Sequence, residues 1–101
     1  MITIQNIKDW SKPHPIGLDN GSRQTRIGNS RVEFSIVGGG TGLYGDFDKT
    51  FEVAIFDKKT GNFITVYYYG SAADDIISYM SAKDLEELVN SVIREDDLVI
   101  G

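Results

Sequence analysis

Apolar and polar positions begin to alternate just after Arg31 and keep that rhythm through the middle of the chain. Val32, Phe34 and Ile36 are interleaved with Glu33 and Ser35, the period-two pattern of a strand with one buried face. Gly38-Gly39-Gly40-Thr41-Gly42 breaks the run. Phe51, Val53 and Ile55 then alternate with Glu52 and Ala54 as a second strand. Asp57-Lys58-Lys59-Thr60-Gly61-Asn62 reads as a hairpin loop, with Gly61 suited to the left-handed conformation such turns need. Phe63-Ile64-Thr65-Val66-Tyr67-Tyr68-Tyr69 is dense in β-branched and aromatic residues and predicts a third strand. Gly70 through Asp75 turns again, and Ile76-Ile77-Ser78-Tyr79-Met80 returns as a further strand or forms a short helix.

The period changes after Met80. Leu85, Leu88, Val89, Val92 and Ile93 fall on one helical stripe, with Glu86, Glu87, Asn90 and Arg94 outside it. Ser81 stands three residues before Asp84, an N-cap followed by a carboxylate at the positive end of the helix. The spacing predicts a helix over 81–95 that packs on one sheet face. Residues 1–31 are harder to read. Ile2, Ile4 and Ile7 could open a strand or a short helix, and Trp10 offers an apolar anchor. Pro13 and Pro15 then stop regular structure, and Asp19-Asn20-Gly21-Ser22 and Gly28-Asn29 add turn signals. The expected architecture is a single α+β domain: an irregular segment over 1–31 with room for short strands, an antiparallel β-meander of about four strands over 32–80, and one C-terminal amphipathic helix on one face.

Charge changes this picture more than composition does. The 101 residues carry a formal net charge of −5, spread unevenly. Residues 1–31 hold five basic and two acidic side chains, whereas residues 74–101 hold eight acidic ones against Lys83 and Arg94. Such a field repels phosphate backbones and attracts basic surfaces, so direct nucleic-acid binding is disfavoured except through the basic N-terminal third. There are no cysteines, which removes disulfides, a thiolate nucleophile and cysteine-ligated zinc, and fits a reducing cytoplasm. No apolar run approaches the roughly 20 residues needed to cross a bilayer, and no leader-like segment opens the chain. A cytoplasmic protein is the expectation.

Gly40-Thr41-Gly42-Leu43-Tyr44-Gly45 matches G-x-G-x-x-G after a predicted strand. A dinucleotide site would require a helix to start there, but Asp46-Phe47-Asp48-Lys49-Thr50 leads into another strand. Asp46 and Asp48 would also oppose phosphate. The glycines of 38–45 are better read as permitting positive φ in a long connection, with Leu43, Tyr44 and Phe47 as exposed contact residues. His14, the one histidine, has no cysteine partner for zinc, and the ligand spacing of a calcium loop is missing around Asp46 and Asp48. No G-x-S-x-G or H-E-x-x-H is present. No catalytic residue, metal or cofactor is therefore expected.

The stretch from Phe51-Glu52-Val53-Ala54-Ile55-Phe56 to Asp84-Leu85-Glu86-Glu87-Leu88 resembles, in overall character, small acidic proteins of bacteriophages and mobile elements, including anti-CRISPR inhibitors. That resemblance implies an inhibitor that covers the basic, nucleic-acid-binding surface of a host nuclease such as Cas9. From the residues themselves, a non-catalytic acidic binding module is expected, its contacts made by Leu43, Tyr44, Phe47, Asp74, Asp75, Glu86, Glu87, Asp96 and Asp97. A toxin-immunity or regulatory binder is the alternative of the same type. A small ligand-binding domain or enzyme using the glycine loop is the alternative of another.

Overall fold

A computed structural model describes residues 1–14, 21–40, 43–70 and 75–101. Its centre is three long antiparallel strands in chain order: β2 (Arg23–Gly28), β3 (Val32–Gly38) and β4 (Thr50–Asp57). Phe34 sits opposite Ile27 on one side and Ile55 on the other, and Ile36 opposite Thr25 and Val53. Because side chains alternate across a strand, this register puts Thr25, Ile27, Val32, Phe34, Ile36, Val53 and Ile55 on one covered face. Gln24, Arg26, Glu33, Ser35 and Glu52 fall on the other face. Phe34, Ile36, Val53 and Ile55 are fully buried, as the alternation over 32–36 and 51–55 predicts.

Each outer edge of this central trio is shared by two short segments. β1 (Lys12–Pro13) pairs with the beginning of β2, and β6 (Val99–Ile100) pairs with its end. On the opposite side, β5 (Ile76–Ser81) pairs with the first half of β4, with an irregularity between Phe51 and Val53. The second half of β4 meets the returning hairpin: Asp57 N–H donates to Asn62 O, Phe56 bridges Phe63, and Ile64 N–H donates to Ile55 O at 2.8 Å. Gly61, at φ 76, supplies the left-handed residue of that hairpin. The sheet thus has six strands rather than about four, and residues 76–81 are strand.

The run Phe63–Tyr69 departs from the predicted strand. Strand-like bonding lasts only through Ile64, and Thr65–Tyr68 form a helical turn, α2. Thr65 is the reason. Its hydroxyl oxygen accepts from Ile55 N–H at 3.0 Å and lies 2.5 Å from Asp75 O, to which it donates. A side chain here replaces the backbone group that a continuing strand would offer to β4. The main chain is then free to leave the sheet.

Helix α1 (Ile4–Asp9) and helix α3 (Ala82–Val92) lie over the covered face. Helix α1 starts with a reciprocal cap: Thr3 Oγ1 accepts from Asn6 N–H, and Asn6 Oδ1 accepts from Thr3 N–H. So the N-terminal segment is regular at its beginning and again along β2. Helix α3 is capped by Ser81, whose hydroxyl accepts from Asp84 N–H at 3.1 Å. It buries Leu85, Leu88 and Val89, followed by Ile93 just past its end, and each such side chain contributes about 1.5–3 kcal/mol before entropy is counted. The helix stops at Val92, three residues short of the predicted end. Ile93 is extended, and a 3₁₀ turn over Glu95–Asp97 steers the chain into β6. Among the described residues, no helix is long and apolar enough to cross a membrane.

Candidate functional site

The loop between β3 and β4 was the first candidate, and its chemistry is structural. Gly39, at φ 74, donates its N–H to Gly45 O at 2.9 Å and closes the loop. A Cβ on Gly45 would stand 2.8 Å from Phe51 Cα, so glycine is needed for close approach of two backbones. Thr41 and Gly42, in the middle of the G-x-G-x-x-G pattern, lie outside the described residues. A strand follows the loop, not a helix.

Phe47 corrects the expectation of an exposed contact. It is only 9% exposed and meets Phe51 edge-on at 5.2 Å between ring centroids. Its positive φ of 57 turns the side chain inward while Asp46 fastens the turn: one Asp46 carboxylate oxygen accepts from the N–H groups of Asp48, Lys49 and Thr50 at 2.8–3.0 Å. Those bonds hold the Asp46 carboxyl well below the usual carboxylate range. Leu43 is half-buried. Tyr44 alone of the three is exposed, and its ring lies 5.9 Å from that of Tyr79.

The acidic residues fall into separate settings. Asp74 lies outside the described residues, and Asp75 is exposed next to β5. Glu86 is half-buried and accepts from Ile4 N–H at 2.8 Å. One turn on, Asn90 accepts from Ile2 N–H and donates to Ile2 O. Glu86 therefore helps fasten the N-terminal segment to α3. Glu87 is exposed on the same helix. Asp96 and Asp97 are exposed on the 3₁₀ turn, with Arg94 3.7 Å from Asp96.

What sequence reasoning missed at Tyr67-Tyr68-Tyr69 is the helical turn of α2. A strand over 63–69 would have turned half of its aromatics into the core. The helical turn instead leaves Val66, Tyr67 and Tyr68 exposed, Tyr67 at 82%, while Tyr69 stays half-buried against the core. Tyr69 also lines a shallow, open groove on α3, together with Asp84, Glu87, Leu88 and Ser91. Thr65 is the one aliphatic alcohol of that run, but nothing local in the sequence marks its hydroxyl as a partner of β4.

His14 is half-buried, and its backbone N–H donates to Ser22 O at 3.1 Å. Among the described residues, no three His, Cys, Asp or Glu side chains gather as a metal would require. Compared with known proteins, the chain matches no family model, no curated protein and no solved structure.

Proposed function

We propose that the protein is a non-catalytic binding module whose working surface joins the aromatics of α2 to the carboxylates of α3, and whose partner is a protein with a basic face. The observation that carries this reading is Tyr67. A large amphipathic side chain stands 82% exposed on a turn anchored by the buried Thr65 hydroxyl, beside Val66 and Tyr68. Tyrosine is enriched where partners bind, because it offers much contact area for little conformational entropy. The charge of α3 and the turn beyond it is mainly acidic, with Asp84, Glu87, Glu95, Asp96 and Asp97 against Lys83 and Arg94, while Tyr68 shares a groove with Arg31 and Lys59 on its other side. A basic partner surface would be both attracted and oriented by that field.

Under this reading the nuclease inhibition implied by the likeness to anti-CRISPR proteins works by occupying the positive surface that would otherwise hold nucleic acid. The test uses the purified protein in a DNA-cleavage assay with a Cas9-type nuclease, and in capture from host lysate at low and high salt. Replacing Val66 and Tyr67 together by serine should abolish inhibition and capture while leaving the thermal midpoint in place, since both side chains are exposed. Charge reversal at Glu87, Asp96 and Asp97 should also abolish them, and wild-type capture should fall as salt rises. Undiminished inhibition by the charge-reversed protein, at equal concentration, would remove the acidic surface from the mechanism.

A further inference from the structure

The groove beside Tyr69 is more specific than a charged face. Four of its five lining residues lie on α3, where Asp84, Leu88 and Ser91 follow one another at helical spacings of four and three and so share one row. Leu88, 7% exposed, lies at the middle of that row, and Tyr69 forms the facing wall. Asp84 and Ser91 mark the two ends, about 10 Å apart along the axis at 1.5 Å per residue. Glu87 flanks the row one helical turn from Asp84.

The polar atoms of α3 in the groove are acceptors. The Ser91 hydroxyl donates its proton to Leu88 O at 2.7 Å, so it presents lone pairs outward. Neither Asp84 nor Glu87 is engaged in an ion pair among the described residues. Lys83 lines the neighbouring groove with Ile4 and Asn90, and Glu87 stands on the ridge between the two, lining both. An apolar floor, an aromatic wall and acceptors at both ends describe a receptor for a donor-only cation with a long apolar stem.

We propose that this groove seats an arginine side chain of the partner. The inference rests on the binding-module reading and names the group that the module recognises. The stem lies along Leu88, as long cationic side chains do on apolar surface. The guanidinium sits against Tyr69 and donates to Asp84 and Glu87. Arginine suits the site better than lysine because its planar fork offers five donors, stacks on aromatic rings and is more weakly hydrated than an ammonium. The same carboxylates could hold an ammonium ion, but the aromatic wall and the separated acceptors would then go partly unused.

The experiment is an NMR titration of the isotope-labelled protein with N-acetyl-arginine methylamide, and in parallel with the lysine analogue. The arginine probe should shift the resonances of Tyr69, Leu88 and Ser91 along a saturating curve, with the lysine probe roughly tenfold weaker. The double variant Asp84→Asn, Glu87→Gln should keep its fold, since both side chains are exposed, and should lose the response. Equal shifts with both probes, or shifts confined to residues 94–97, would overturn the arginine seat. Lysate capture with the same double variant separates the two readings. Capture that persists leaves the module standing without the seat. Arginine binding at Tyr69 with no basic partner retained by the wild-type protein leaves the seat standing without the module.

Discussion

The two edges of the central sheet solve one problem by different means. An unpaired strand edge exposes a row of N–H and C=O groups that invites foreign strands, and here each edge is closed by two short segments. Along β2 the closure is ordinary main-chain pairing: Lys12 with Gln24, Pro13 with Arg23, Val99 with Gly28 and Ile100 with Ile27. Along β4 it is irregular. A threonine hydroxyl stands in for a backbone group at Ile55, and β5 reaches its register only through a bulge holding Tyr79 at φ 54. The irregular edge is also the one that carries the exposed aromatics Tyr44, Phe63, Tyr67, Tyr68 and Tyr79. Closing an edge with side-chain bonds and bulges lets the chain leave the sheet plane, and residues that leave the plane can face a partner.

The two buried threonines offer the sharpest way to break this comparison. Thr25, on β2, donates to Ile7 O at 2.6 Å and ties α1 to the regular side. Thr65 serves two backbone groups at once on the irregular side. Thr65→Val strands a buried donor and leaves Asp75 O without its bond, and should cost about 2–3 kcal/mol. Thr25→Val strands a single carbonyl and should cost about 1 kcal/mol. Thr65→Ser keeps the hydroxyl and should lose only about 0.8 kcal/mol for the missing methyl group. Urea midpoints of the three variants decide the matter. Equal losses at Thr25 and Thr65 would mean that the hydroxyl does not carry the irregular edge.

Tyr79 provides a smaller and more informative test. A non-glycine residue in the left-handed region costs roughly 1–2 kcal/mol, yet this one is 62% exposed. Its backbone N–H donates to Tyr44 O at 2.8 Å, and its ring meets that of Tyr44. Tyr79→Ala loses the ring and keeps the strained backbone, whereas Tyr79→Gly loses the ring and relieves the strain. The glycine variant should therefore be the more stable of the two by about 1 kcal/mol. If neither variant is captured by a partner that the wild-type protein holds, the ring belongs to the contact surface. If alanine and glycine prove equally stable, the bulge has rearranged and the strain is absent.

How much of this was legible in the sequence follows the same division. Val32–Ile36 and Phe51–Ile55 alternate because one face of each is fully covered while Glu33, Ser35 and Glu52 on the other are only half-buried, and the Leu85–Ile93 stripe is helical because one side of it is likewise covered. Strand β2 was hidden because Arg23-Gln24-Thr25-Arg26-Ile27-Gly28 shows only one strongly apolar side chain, and Thr25 is buried through a bond to α1 that lies 18 residues away. The turn at α2 was hidden because aromatic and β-branched composition expresses burial preference more than backbone geometry. Contact between Thr65 and Ile55 overrides that preference, and no local pattern announces it. Of the expected contact residues, Tyr44, Asp75, Glu87, Asp96 and Asp97 are exposed. Phe47 was misread as exposed because an apolar side chain in a glycine loop looks solvated until its neighbours are known.

The smallest effect expected concerns two side chains that fasten turns on either side of β3. Asn29 Oδ1 accepts from the N–H groups of Arg31 and Val32 in the β2–β3 turn, and Asp46 does the like ahead of β4. The first is uncharged and indifferent to acid. The second has its folded carboxyl held well below its ordinary value of 3.8, chiefly by the Thr50 N–H and then by those of Asp48 and Lys49. Between those two values the unfolded chain binds the proton and the folded chain does not, so acid favours unfolding. The Asp46 contribution is thus complete above the ordinary value and fades as pH falls toward the folded one. Asp46→Asn removes the charge and much of that dependence. The gap in urea midpoint between wild type and Asp46→Asn should be steady from neutral pH down to about pH 5 and should narrow below about pH 4. A gap that keeps its width in acid would assign the turn to neutral hydrogen bonding alone, making Asp46 the equivalent of Asn29 and the two sides of β3 alike in this respect.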